Sequence, residues 1–166
     1  MPDDYDISVD TPLTRAQEEV IAYFCDGVRV LGLPKSIGEI YGLLFISRDP
    51  LSLDDLVSKL DMSKGSASQG LKFLRNLGAV HRNEVERKSY YSPELNLKSL
   101  VGGFIKEEIR PHLQSGEDKL KKIHAVMEKE QDGLSDGFYQ ERFEKIERWT
   151  KQAKFVLPLL QRVLNS

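Results

Sequence analysis

From Arg15 onward the apolar positions keep the 3.6-residue period of a helix, with Ala16, Val20, Phe24, Val28 and Leu31 on one face. Gly32-Leu33-Pro34 breaks that pattern. A second, strongly apolar stretch from Ile37 to about Ser47 stops at Asp49-Pro50. A third covers Leu53 to Leu60 and turns Leu53, Leu56, Val57 and Leu60 inward. After Asp61-Met62, Ser63 is placed to cap a fourth helix reaching Leu77, with Gly78 as its C′ residue. Thr14 with Gln17, Ser36 with Glu39 and Ser52 with Asp55 have capping-box spacing. In that motif a hydroxyl satisfies an orphan N–H at the helix start, and the residue three positions on reaches back.

The period then shortens to two. Ala79–Asn83 and Lys88–Ser92 predict two antiparallel strands, joined through a polar tip from Glu84 to Arg87, and Pro93 closes the unit. Asn96 is placed to cap the next helix, in which Leu97, Leu100, Val101, Phe104, Ile105, Ile109 and Leu113 share a face. Gly102-Gly103 loosens it, and Pro111 ends or kinks it. A further helix is expected from about Glu117 to Glu130, then a loop flanked by Asp132-Gly133 and Asp136-Gly137, then a last helix from Phe138 to Leu164 that Pro158 should bend. In that last helix Ile146, Trp149, Ala153, Val156, Leu160 and Val163 are spaced 3-4-3-4-3, the seam of a coiled coil. Such a seam serves a second copy of the chain or packing on the chain's own first and fifth helices, and the spacing leaves both open.

The order of elements predicts a mainly α fold with a small β-hairpin: a winged helix-turn-helix with flanking N- and C-terminal helices forming a dimerisation region. The expected divisions are a flexible acidic tail (1–13), an N-terminal dimerisation helix (14–33), a winged helix-turn-helix DNA-binding domain (34–93) and a C-terminal helical dimerisation and effector region (94–166). The fourth helix has a free face to offer. Ala67, Gly70, Leu71, Leu74 and Gly78 project to one side and are expected to pack inward, while Gly65, Gln69, Lys72 and Asn76 project to the other, flanked by Ser66, Ser68 and Arg75. Small and hydrogen-bonding residues near the helix start allow close approach to base edges in a major groove, and Gln69 suits an adenine edge. Ser66 and Ser68 can bond bases or phosphates, and Lys64, Lys72 and Arg75 suit phosphates, which position a protein without specifying sequence; Ser63 at the helix start is also counted among the DNA-contacting residues. Arg87 and Lys88 at the hairpin tip suit the minor groove or its phosphates; the bland alternative is a solvated turn, and Glu84 and Glu86 oppose deep insertion.

Net charge over the whole chain is −2. Between Ser63 and Tyr91, however, six basic residues stand against two acidic ones, a local charge of +4, and the remainder carries −6. A positive segment in an acidic chain fits a protein of which one face meets phosphates.

Four strings in this segment resemble the GbsR-type branch of the MarR-like winged-helix transcription regulators. They are Leu33-Pro34-Lys35-Ser36-Ile37-Gly38-Glu39-Ile40-Tyr41-Gly42-Leu43-Leu44-Phe45, Pro50-Leu51-Ser52-Leu53-Asp54-Asp55-Leu56, Met62-Ser63-Lys64-Gly65-Ser66-Ala67-Ser68 and Glu86-Arg87-Lys88-Ser89-Tyr90-Tyr91. The resemblance covers about Leu33 to Tyr91. It implies a homodimer with the first and last helices at the interface, binding double-stranded DNA at an inverted-repeat operator as a repressor of osmolyte transport or synthesis genes. It also allows a small-molecule effector, such as an osmolyte or its precursor. A different class of reading is a winged-helix module that binds protein in a transcription or chromosome-organising complex.

Other chemistry is thinly represented. Phe138, Tyr139, Phe143 and Trp149 crowd one end of the last helix, as an aromatic cage for a quaternary ammonium would require, although aromatic residues at helical spacing also build cores. His81, His112 and His124 lack metal-type spacing, so no metal or other cofactor is expected; His81 lies close to the basic hairpin. Cys25, the single cysteine, sits among Ile21, Phe24 and Val28 as a buried apolar thiol would, with redox sensing as the alternative. No G-x-S-x-G, P-loop or G-x-G-x-x-G string is present, so no catalytic residue and no enzyme activity is expected. No run of 18 apolar residues occurs and the first ten residues hold four Asp and no Lys or Arg, so the expected setting is the cytoplasm, without a membrane partner.

Overall fold

The computed structural model of the chain describes residues 11–130 and 137–165. The first ten residues of the expected acidic tail, and Asp132-Gly133 and Asp136 of the expected loop, lie outside the described residues. The chain divides into two compact units, residues 1–100 and 101–166.

In the first unit, Thr14 opens α1 (Arg15–Val30) with the capping box its spacing predicts: its Oγ1 accepts from the Gln17 N–H, and Gln17 Oε1 accepts from the Thr14 N–H at 2.8 Å. Ser52 does the same for α3 (Leu53–Leu60) with Asp55. The pairing expected of Ser36 and Glu39 does not form. Helix α2 (Lys35–Ile46) starts earlier, because Pro34 at its N-cap has the fixed φ, −59°, that leads into a helix. Ser36 therefore lies inside the first turn, and Glu39 pairs with Lys35 at 2.8 Å instead.

Helices α1 and α2 touch backbone to backbone. A Cβ on Gly38 would lie 2.6 Å from the Cα of Cys25, and one on Gly42 would lie 2.9 Å from the Cα of Ile21. Two glycines one turn apart thus let α1 lie directly on α2. Cys25 is buried there with its Sγ directed at the Lys35 carbonyl, 3.8 Å away; burial, and then the Glu39 carboxylate, pushes its thiol pKa up. That environment is the buried apolar thiol of the two readings open for Cys25. Beyond α2, Ile40, Leu43, Leu44 and Leu56 are fully enclosed, and Ala67, Leu71, Leu74 and Leu77 close the core from α4 (Lys64–Asn76). Each such Leu or Ile contributes roughly 1.5–3 kcal/mol through burial. Of the four residues expected inward on α3, Leu56 alone is fully buried, since an eight-residue helix at the margin turns only its central position to the core.

Strands β2 (Val80–Val85) and β3 (Lys88–Pro93) form the hairpin; β2 starts one residue later and ends two residues later than the alternation predicts, and β3 ends one residue later. Val80 faces Pro93 and Val85 faces Lys88, so the turn is only Glu86-Arg87. A short strand missed in the sequence, β1 (Leu51–Ser52), pairs with β3 at Tyr91 and Tyr90, giving the order β1-β3-β2. Two residues next to Pro50 are too few to show an alternation.

From Leu97 to Lys129 the chain stays helical, so of the two outcomes expected at Pro111, an end or a kink, the end does not occur. Helix α5 (Leu97–Phe104) passes through one wide turn, Ile105–Ile109, into α6 (Arg110–Lys129). In the wide turn Arg110 donates its N–H to the Ile105 carbonyl, five residues back. Widening of this kind relieves the clash and missing donor that a proline imposes on the preceding turn. Helix α7 (Phe138–Asn165) continues through Pro158. In the second unit α6 and α7 pack on each other; Phe143 is buried with its ring 5.7 Å from that of His124, and Arg110 donates to Gln161 Oε1 at 2.9 Å.

Candidate nucleic-acid interface

The turn between α3 and α4 is set by Asp61, whose left-handed φ of 49° ends α3 and reverses the chain in two residues. Ser63 then caps α4, its Oγ accepting from the Ser66 N–H at 3.1 Å and donating to the Ser66 Oγ at 2.9 Å. Ser63 therefore has the capping duty expected of it, beside the DNA contact also expected there.

Helix α4 is two-faced. Ala67, Gly70, Leu71 and Leu74 are buried, and the space for Gly70 is set by Ile40, whose Cδ1 would stand 2.4 Å from an added Cβ. Gly78 does not join that face: it is exposed with φ +71° and ends the helix, while Leu77 is the buried neighbour. The other face holds Lys64, Gly65, Ser66, Ser68, Gln69, Lys72, Arg75 and Asn76, all exposed, with Ser63 exposed just ahead of them. An N–H-rich helix start carrying small polar side chains is a surface that accepts anions and base edges.

Arg87 and Lys88 are exposed at the hairpin tip. Glu86 and Arg87 have φ of 48° and 67°, the pair of positive values that a two-residue hairpin turn requires and that Asn-Gly usually supplies. Two side-chain-bearing residues hold this conformation at a cost of about 1 kcal/mol or more, so the tip presents a Glu and an Arg where glycine would be easier.

The charges sort into engaged and free. Lys64 Nζ lies 3.2 Å from Asp54 Oδ1, across the helix-turn-helix. Among the described residues Lys72, Arg75, Arg87 and Lys88 make no ion pair with the protein. Two polar groups escaped the sequence reading. Asp54 looked like a plain helix charge because its partner stands ten residues on. Arg82 on β2 donates to Ser89 Oγ at 2.9 Å and lies 3.7 Å from Glu84, so it braces the hairpin from its exposed face.

The candidate seam on α7 is outward. Ile146, Val156 and Leu160 are exposed, Trp149 is 64% and Val163 72% exposed, and Ala153 is half-buried. A second stripe meets α6: Phe143, Glu147, Thr150, Lys154, Leu157 and Gln161 line the clefts between the two helices. Lys154 is ion-paired with Glu117 there. The aromatic cage is not assembled. Phe143 is buried toward α6 and Trp149 is on the exposed seam, while Phe138 is covered by the Arg142 guanidinium, 4.9 Å from its ring centre. Among the described residues no cluster of His, Cys, Asp and Glu has metal-binding geometry, and no helix is long and apolar enough to cross a membrane.

Comparison with known proteins points the same way for the first unit. No family model matches the chain. It is 33% identical over 70 residues to the HTH-type transcriptional repressor GbsR of Bacillus subtilis (strain 168), a match covering 42% of this chain and 38% of that protein. It is 28% identical over 57 residues to the repressor OpcR of the same organism, covering 34% of this chain and 31% of that one. The chain thus matches well under half the length of these two relatives. A solved structure described as a transcriptional regulator superposes with a TM-score of 0.62 at 16% identity, covering 90% of this chain and 96% of that chain. That likeness confirms the winged-helix fold.

Proposed function

We propose that this chain, whose winged-helix segment is related to the GbsR-type branch of the MarR-like transcription regulators, binds an inverted-repeat operator as a homodimer in the cytoplasm and represses transcription. The observation that carries the reading is the two-faced α4: a buried apolar stripe fixes it, and an exposed strip of Gly65, Gln69, Lys72 and Asn76 faces outward beside the unpaired cations Arg87 and Lys88. Gln69 and Ser66 read base edges; Lys64, Lys72 and Arg75 hold phosphates; Arg87 and Lys88 follow the adjacent minor groove. The exposed Ile146–Val163 seam supports pairing of two copies, which an inverted repeat requires.

A small effector belongs to the same reading. The α6–α7 cleft, lined by Glu117, Leu120, His124, Phe143 and Glu147 among others, has a volume of about 360 Å³ and suits a ligand of osmolyte size.

Titration of the purified protein with the DNA upstream of its own gene, followed by fluorescence anisotropy, tests the proposal. Tight binding at low salt that weakens steeply as salt rises, with much weaker binding to random duplex, is expected. No shift at low salt would leave the winged helix as a protein-binding module; equal affinity for random duplex would make it a non-specific binder.

A further inference from the structure

Where the chain leaves the winged helix, one residue collects contacts from four separate places. Glu94 follows Pro93 at the end of β3. Its N–H donates to the Ala79 carbonyl at 2.8 Å, at the corner between α4 and β2. Its carbonyl accepts from the Tyr41 hydroxyl, which reaches across from α2. Its carboxylate is shared: Oε1 accepts from the Asn96 N–H at 2.7 Å, and Oε2 lies 3.1 Å from His81 Nε2 on β2. Asn96 in turn caps α5, its Oδ1 accepting from the N–H of Lys98 at 2.9 Å and Ser99 at 3.3 Å.

A chain needs no such arrangement to pass from a strand to a helix; a cap on α5 alone would do. Here the cap is itself held. Asn96 is oriented by Glu94, and Glu94 is fixed to β2, to α2 and to the α4–β2 corner. The Glu94 side chain is 22% exposed, while His81 across from it is 53% exposed. The Asn96 N–H bond, and after it the His81 bond, holds its carboxyl below the usual carboxylate value.

We propose that Glu94 is a positioning residue that holds the N-terminal cap of α5, tying the first turn of that helix to the hairpin strand carrying His81. A movement of the helix that begins at Leu97 then reaches the hairpin through one carboxylate, without passing through the apolar core. The link from this lock to DNA affinity rests on the regulator reading; the lock itself does not.

Amide hydrogen exchange on the full chain tests it without DNA. In Glu94→Ala the amides of Lys98 and Ser99 should exchange at least about tenfold faster, while those of Leu44 and Leu71 in the core keep their protection. Glu94→Gln, which retains an acceptor for the Asn96 N–H, should restore most of the protection at Lys98 and Ser99. Tyr41→Phe removes one attachment only, and should raise exchange at the same two amides by a smaller factor. Unchanged exchange at Lys98 and Ser99 in Glu94→Ala would overturn the proposal, as would an equal rise at Leu44 and Leu71, which would make Glu94 a general stability residue. In the DNA arm, Glu94→Ala should lose about tenfold more affinity for a paired inverted repeat than for a single half-site. Equal losses on the two duplexes would overturn the transmitting role. If the unsubstituted protein bound neither duplex, the regulator reading would fall while the exchange result still decided the lock.

Discussion

Residues 11–100 and residues 101–165 treat their apolar side chains in opposite ways. Among the described residues, the first unit encloses fourteen hydrophobic side chains, from Ile21 to Val80, whereas the second encloses Ile105 and Phe143. The second unit also leaves Trp149, Phe155, Val156, Leu160 and Val163 in water. The first unit has what a self-sufficient fold needs: a closed core, capped helices and no buried polar side chain among the described residues. The second has long helices whose apolar area exceeds what one copy covers, as in chains that complete their core by association. One polypeptide therefore joins a unit with a closed core to a region with an uncovered apolar stripe, the stripe that the proposed pairing of two copies would cover.

The contrast breaks most sharply at Gly38. Gly38→Ala places a methyl group against the backbone of Cys25 and should destabilise the first unit by about 3 kcal/mol, seen as a lowered Tm of the transition that reports α1 and α2. The opposite manipulation is Trp149→Asp. It should leave that transition in place but weaken self-association by about 2 kcal/mol, measured as the dimer fraction in sedimentation velocity. Lys72→Glu should alter neither stability nor association and reduce DNA affinity about tenfold, ~1.4 kcal/mol, with a shallower salt dependence. At the hairpin, replacing Glu86-Arg87 with Asn-Gly should stabilise the first unit by up to about 1 kcal/mol, because the turn then suits its residues, while DNA binding falls several-fold.

The smallest effect concerns acid. A carboxyl with a lowered folded pKa contributes stability that is present above its ordinary value, 4.5 for Glu94, and lost as pH falls through the lowered value. Protection of the Lys98 and Ser99 amides should therefore decline below about pH 4.5 and change little between pH 6 and 8.

The parts legible in the sequence are those governed by local rules. Thr14, Ser52 and Ser63 announce their helices because an N-cap depends on residues three positions away. The two faces of α4 follow from a 100° rotation per residue, and the placement of Ala67, Leu71 and Leu74 against Lys72 and Asn76 could be read directly. What escaped depends on contacts far apart in the chain. Tyr41 meets Glu94 across 53 residues, and β1 exists only because Tyr90 and Tyr91 offer an edge to Leu51 and Ser52. Pro111 left an end or a kink open for a different reason: a proline disfavours an ordinary helical turn, but not the wider one at Ile105–Ile109 through which the helix continues. The α7 seam was readable as a seam, yet the partner it meets is not encoded in spacing; the adjacent stripe from Phe143 to Gln161 is the one that faces α6.

The glycines of α2 and α4 have a mechanical consequence. Gly38 and Gly42 meet the backbone of α1 directly, whereas Gly70 meets the side-chain tip of Ile40. At the α1–α2 crossing any sliding of one helix over the other meets main-chain atoms, so these two helices have little room to shift against each other.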